Sequence, residues 1–179
     1  MNWTVIALAL APIVLGGVAP AYAEQPAVIL ATTPQEIANQ IDALRPKLTA
    51  LRWSDDLLRS RTRPDRHPTL LPKKQAFDAS VTQLDAALAR YAQLARSAPR
   101  PKSSGAASSD AQNLKDAGAA VIAAANSYMS AGDSYWPPAQ QAATTASQSS
   151  LTKALSDYQD SRTGVSSASS KISSINNLL

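Results

Sequence analysis

The stretch "KKQAFDASVTQLDAALARYAQLARS", Lys73 to Ser97, decides the fold. Phe77, Val81, Leu84, Leu88, Tyr91 and Ala95 recur at alternating spacings of four and three without a miss. At 3.6 residues per turn, that spacing keeps all six on one face, so the segment reads as an amphipathic helix. Neither proline nor glycine interrupts it after Lys73. One apolar stripe on a helix this long has to be covered, and the natural cover is the stripe of another helix.

Upstream, "TTPQE" supplies Thr33 as an N-cap, Pro34 at the first helical position and Glu36 at the third, the pattern of a capping box. Ile37, Ile41, Leu44, Leu48 and Leu51 continue from it at helical spacing, and the pattern fades after Leu58. Pro46 falls inside this run and predicts a kink near residues 42–45, because proline removes a backbone donor and crowds the preceding turn.

Downstream, "SAPRPKSSGAASSD" reads as a flexible Ser/Pro/Gly connector over 98–109, after which Asp110 or Ser109 can cap a third helix carrying Leu114, Ala117, Val121 and Tyr128. Gly132 is the expected stop, and "DSYWPP" the expected corner, with Pro137 and Pro138 opening the last helix. Leu151, Leu155, Tyr158, Val165, Ile172 and Leu179 hold its period. A single helix from there to the end would reach roughly 60 Å, beyond its partners, so a break near Ser149 and Ser150 or a bend at Gly164 is expected.

Strand signals are nearly absent, which makes the fold class all-α. Four amphipathic segments favour an antiparallel four-helix bundle; the alternative is a pair of elongated helical hairpins with a long C-terminal helix.

The first residues have their own character. An apolar run from Val5 to Val18 precedes Ala21-Tyr22-Ala23, the small-x-small pattern of a signal peptidase site, although Asn2 stands where a basic residue is usual. The expectation is a signal peptide over 1–23 and one helical domain over 24–179, in a periplasmic or secreted protein. The apolar run is too short to span a bilayer, which takes about 20 residues, so no integral membrane protein is expected after cleavage. The chain contains no cysteine, so disulfides and thiolate metal sites are excluded.

Formal net charge is +4, and its distribution says more than its size. "RSRTRPDRHPTLLPKK", Arg59 to Lys74, holds six basic residues against Asp65, a net +5, so the remainder carries −1. This basic, proline-rich connector over 59–74 is the main candidate for anion binding, through Arg59, Arg61, Arg63, Arg66, Lys73 and Lys74. It contains no aromatic residue to stack on bases, so no sequence-specific nucleic acid is expected. Lipid headgroups or an anionic envelope polymer remain as ligands. Tyr135 and Trp136, at the expected corner, are candidates for aromatic contact with a partner, or for plugging the end of the core.

Catalytic constellations are missing from the pattern. His67 is the only histidine, so a His-based triad or metal centre has little to build with. The Gly132-Asp133-Ser134 triplet lacks both the preceding strand and the downstream histidine that a nucleophilic serine of that kind needs. Asp157 with Asp160, and Asp55 with Asp56, read as solvated pairs rather than an acid and base in one pocket. No catalytic, cofactor-binding or metal-ligating residue is assigned and no cofactor is expected.

Two charges fall on apolar seams: Asp55 between Leu51 and Leu58, and Arg162 between Tyr158 and Val165. A buried charge needs a partner, so a cross-helix ion pair between Asp55 and Arg162 is expected unless both turn to solvent. The functional expectation is a non-catalytic exported helical protein, an envelope scaffold, adaptor or chaperone-like binder whose partner is another protein or itself. The first alternative is a binding module for anionic surface polymers or lipids acting through residues 59–74, and the second, which the missing constellations disfavour, is an enzyme or cofactor carrier.

Overall fold

The structure, a computed structural model, describes residues 33–62, 67–97 and 107–179. The helices belong to one compact unit, Thr32–Leu179, and the expected signal peptide lies outside the described residues.

Helix α1 spans Pro34–Thr62. Its capping box forms as the sequence implies: the Thr33 amide donates to Glu36 Oε2 at 2.8 Å and the Glu36 amide donates to Thr33 Oγ1 at 3.2 Å. The helix continues through Pro46, and Leu44 and Leu48 on either side of it are both buried, so the core-facing seam passes the proline unbroken. Proline leaves the Asp42 carbonyl without its intrahelical donor. Asp42 and Pro46 are exposed, where water can serve that oxygen.

Helix α2 spans Leu71–Ser97 and buries all six residues of its four-three seam. Helix α3 spans Ala107–Ala142 and starts inside the expected connector, whose residues 98–106 lie outside the described residues. It neither stops at Gly132 nor turns at Tyr135 and Trp136, which corrects the expected corner. Gly132 is a packing residue instead: a Cβ there would lie 2.0 Å from Tyr158 Oη, so glycine admits the tyrosine. Pro137 and Pro138 sit inside α3 rather than opening a new helix. The carbonyls they orphan belong to Asp133 and Ser134, both exposed, so the helix can run past them at small cost.

The chain turns at residues 143–147 through a short 3-10 segment, Thr145–Ser147, and α4 then spans Gln148–Asn176. It runs through Gly164 as helix. The break falls a few residues before Ser149, and it resolves the length problem, because α1 and α4 are each 29 residues and α2 is 27. Leu179, expected on the last seam, lies beyond α4 and is exposed, while Ile175 closes the seam.

The packed pairs are α1 with α2, α2 with α3, α3 with α4 and α4 with α1, a closed ring. Cross-links fix the directions: Arg45 Nε bonds Asp85 at 2.8 Å and Arg96 pairs with Asp42 between α1 and α2, while Arg162 pairs with Asp133 and Asn176 donates to the Lys115 carbonyl between α4 and α3. The result is an antiparallel four-helix bundle rather than two separate hairpins. Its core is one apolar cluster fed by all four helices.

Candidate functional site

The basic stretch divides when it folds. Arg59 and Arg61 lie in the last turn of α1, where cations suit the helix dipole. Arg63 and Arg66 lie outside the described residues. Lys73 is half-buried, and Lys74 is a core residue with 2% of its surface exposed. The reason is periodicity: Lys74 stands three residues before Phe77 and extends the α2 seam backwards by one step.

Lys74 meets Asp55, itself 2% exposed on the α1 seam. Lys74 Nζ lies 2.7 Å from Asp55 Oδ2 and 2.7 and 2.9 Å from the two oxygens of Asp78, one helical turn further along α2. The other Asp55 oxygen accepts from Tyr135 Oη at 2.8 Å. Burial would lower the Lys74 ammonium, but Asp55 and then Asp78 outweigh it and hold it above the usual lysine range. Burial lifts the Asp55 carboxyl above the ordinary aspartate range, against the pull of Lys74 and Tyr135. The Tyr135 phenol is raised by burial and then by the neighbouring Asp55 charge, so it stays a donor. With its three donors directed at two carboxylates, Lys74 has nothing left for an external anion. This removes it from the anion-binding set.

Arg162 is not the partner of Asp55. Ser161 occupies the buried seam position, and Tyr128 Oη lies 2.6 Å from its Oγ, which in turn donates to the Tyr158 carbonyl at 2.9 Å. Arg162, one step round the helix, pairs with Asp133 at 2.5 Å near the surface and lies over the Tyr158 ring.

Tyr135 and Trp136 are 2% and 4% exposed and cannot contact a partner. They plug the core, with Phe77 as the hub: its ring centroid lies 5.3 to 5.8 Å from those of Tyr128, Tyr135, Trp136 and Tyr158. Because α3 does not turn at residue 135, this aromatic pair faces inward.

Among the described residues, the aromatic side chain that faces solvent is Trp53, 67% exposed on α1, which was not among the candidates drawn from the sequence. It belongs to a second four-three series, Ala43, Pro46, Ala50, Trp53 and Leu57, with Leu57 half-buried and the others exposed. The signal was present in the sequence. The core seam on the same helix is richer in large aliphatic residues and masks it. Between α1 and α4 lies a shallow cleft of about 220 Å³ with Leu44 and Ala168 in its lining and Lys47 and Lys171 beside them.

Among the described residues, no group of three or more His, Cys, Asp or Glu side chains could hold a metal ion, and no helix is long and apolar enough to cross a membrane. Compared with protein-family models, with curated proteins and with solved structures, the chain has no match.

Proposed function

We propose that this chain is a non-catalytic exported helical protein that works by binding, as an envelope scaffold, adaptor or chaperone-like binder. The observation that carries the reading is Trp53: a large apolar side chain displayed to solvent in the middle of an exposed apolar stripe. Contiguous exposed apolar surface on a soluble protein is characteristic of interaction sites. The buried polar groups support it from the other side, since Asp55, Lys74 and Tyr135 are spent on one another and on the exposed Asp78 rather than aimed into a cleft. Export rests on the N-terminal sequence pattern alone.

The test is affinity capture from the native envelope with the mature protein as bait, wild type beside Trp53→Ala. A protein retained by the wild type and lost by the variant is the expected result. Equal recovery by both, or none, would overturn the assignment to this face. Export is checked by N-terminal sequencing, which should return Glu24.

A second reading, binding of anionic polymers or lipids at the end of α1, has one observation in its favour. Arg59 and Arg61 carry no ion pair among the described residues. Retention through them should vanish as salt rises, whereas binding through the Trp53 stripe should persist.

A further inference from the structure

We infer that the outward face of α1 is a self-association surface on which two copies of this chain pack α1 against α1, antiparallel, about a two-fold axis passing between Ala50 and Trp53. The inference deepens the binding-protein reading above and rests on it, naming a second copy as the occupant of that face.

The argument begins with spacing. Ala43, Pro46, Ala50, Trp53, Leu57 and Ser60 follow one another by three and four residues, the repeat of a helix that packs on a helix. They lie on the side of α1 turned away from Ile41, Leu48 and Asp55, which the bundle already buries. Core helices need one such stripe; α1 has two.

Residue size selects the partner and the direction. Along the stripe the residues towards the N-terminus are small or flat, and those towards the C-terminus include the large Trp53 and Leu57. A two-fold with antiparallel helices sets Trp53 over Ala50 of the partner subunit and Leu57 over Pro46 of the partner subunit, and repeats both contacts by symmetry. These central layers then join a large side chain to a small one, which is how a close-packed interface fills space, and the outermost layer sets Ser60 over Ala43 of the partner subunit. A parallel pair in register would put Trp53 on its own copy and leave Ala50 facing a void.

Charge agrees with the same register. On the flank towards α2 the charged residues run Asp42, Arg45, Arg52, Asp56, Arg59, and Arg52 donates to Thr82 Oγ1 of α2 at 3.1 Å. Asp42 and Arg45 are engaged by Arg96 and Asp85, while Asp56 and Arg59 have no ion pair among the described residues. Antiparallel packing in this register brings Asp56 within about 3 Å along the axis of the level of Arg45 of the partner subunit, and Arg59 equally near the level of Asp42 of the partner subunit, so opposite charges come together at both ends. In a parallel pair the two-fold would set this flank against the opposite flank of the partner, and these pairings would not be made. A lipid surface fits less well, because Asp42 and Asp56 border the stripe and would be driven towards anionic headgroups.

The experiment is sedimentation of the full chain from about 5 µM to about 200 µM, with wild type, Trp53→Ala, Ala50→Trp and the exchanged double variant Ala50→Trp/Trp53→Ala. The expected result is a reversible monomer–dimer equilibrium, weakened at least ten-fold by either single substitution and restored to within a few-fold by the exchange, which swaps large and small across each layer. Both substituted positions, Ala50 and Trp53, are exposed, so melting curves of all four proteins at the lowest concentration should coincide and exclude unfolding as the cause. A wild type that remains monomeric throughout overturns the inference, as does a dimer indifferent to Trp53→Ala or an exchange as weak as the single variants. So does a dependence on Trp53 seen only with anionic vesicles. A chain that stays monomeric yet captures an envelope protein through Trp53 defeats self-association and leaves the binding-protein reading standing.

Discussion

Asp55 and Lys74 are the residues whose burial costs most and whose pairing is therefore the most exposed to test. Each lies on an apolar seam, 2% exposed, and each is tolerated because the other is there. Replacing Lys74 by Met strands a buried carboxylate and should cost about 3–5 kcal/mol in denaturant unfolding, whereas Asp55→Leu/Lys74→Met, which removes both charges, should recover most of that loss. If the two single substitutions add, or each costs under about 1 kcal/mol, the pair is solvated and the buried assignment is wrong. Half of this was legible in the sequence. The seam position of Asp55 demands a buried partner, and the same rule applied to α2 would have placed Lys74 on its seam. Proline-rich composition hid it, because Pro68 and Pro72 made the segment read as a loop up to Lys74, whereas α2 begins at Leu71 and carries Pro72 in its first turn, where a missing amide donor costs nothing. Arg162 looked like the partner because steps of four then three from Tyr158 to Val165 are as regular as three then four, and only packing shows that Ser161 takes the buried place.

Helices α3 and α4 are the elements in which local signals and tertiary packing disagreed. Gly132 followed by Pro137 and Pro138 is a strong stop signal by propensity, yet α3 passes through all three. The aromatic contacts of Tyr135 and Trp136 with Phe77 require the helix to continue, and burial of two large rings outweighs the helix-breaking tendency of exposed prolines near its end. Gly132→Ala tests this directly. Alanine is the better helix former by about 1 kcal/mol, so a surface glycine would gain by the change. Here the added Cβ would lie 2.0 Å from Tyr158 Oη and 2.4 Å from Cζ, and the ring is held among Phe77, Tyr128 and Trp136. A net destabilisation of about 1–3 kcal/mol is expected, measured by thermal or urea unfolding. Gly164→Ala is the comparison: its Cβ would meet the end of the Leu44 side chain at 2.7 Å, a methyl that can turn away, so its cost should be the smaller. Equal effects would mean that the Tyr158 ring moves as freely as Leu44. Helix existence was readable throughout from the four-three spacing, and the boundaries at residues 132 to 148 were not, because they depend on which partner the aromatic residues find.

As a whole the molecule is a bundle whose all-α class and four-helix architecture follow from apolar periodicity. Its core is unusual in setting phenol groups among aliphatic side chains, and that gives it a pH dependence with a definite sign. The substitution Leu84→Asp, mid-seam and fully buried, should unfold the bundle as judged by circular dichroism, since a charge there has no partner. The phenols act at the other end of the pH scale. Tyr91 is pushed up to about 12 by burial, and its hydroxyl has no hydrogen-bond partner among the described residues. Tyr128, Tyr135 and Tyr158 are also raised, in each case chiefly by burial, and Lys74 is raised by its two carboxylates against the opposing effect of burial. In every one of these groups the folded state holds its proton more tightly than the unfolded chain. Their contribution is therefore complete below the ordinary tyrosine and lysine values near 10, and is lost as pH climbs through the raised values. Asp55 has the same sign at the acid end: its carboxyl is raised, so protonating it as pH falls below 4 does not by itself favour unfolding. The melting temperature should hold steady from near neutrality to about pH 9 and then fall steeply between about pH 10 and pH 12, with tyrosinate absorbance appearing together with loss of helix rather than before it. Tyr91→Phe, which removes a buried hydroxyl without a partner, should make the neutral-pH protein no less stable and make the alkaline fall shallower. Tyrosinate formation that runs ahead of unfolding would mean that these rings meet solvent in the folded state, contrary to the burial on which the aromatic core depends.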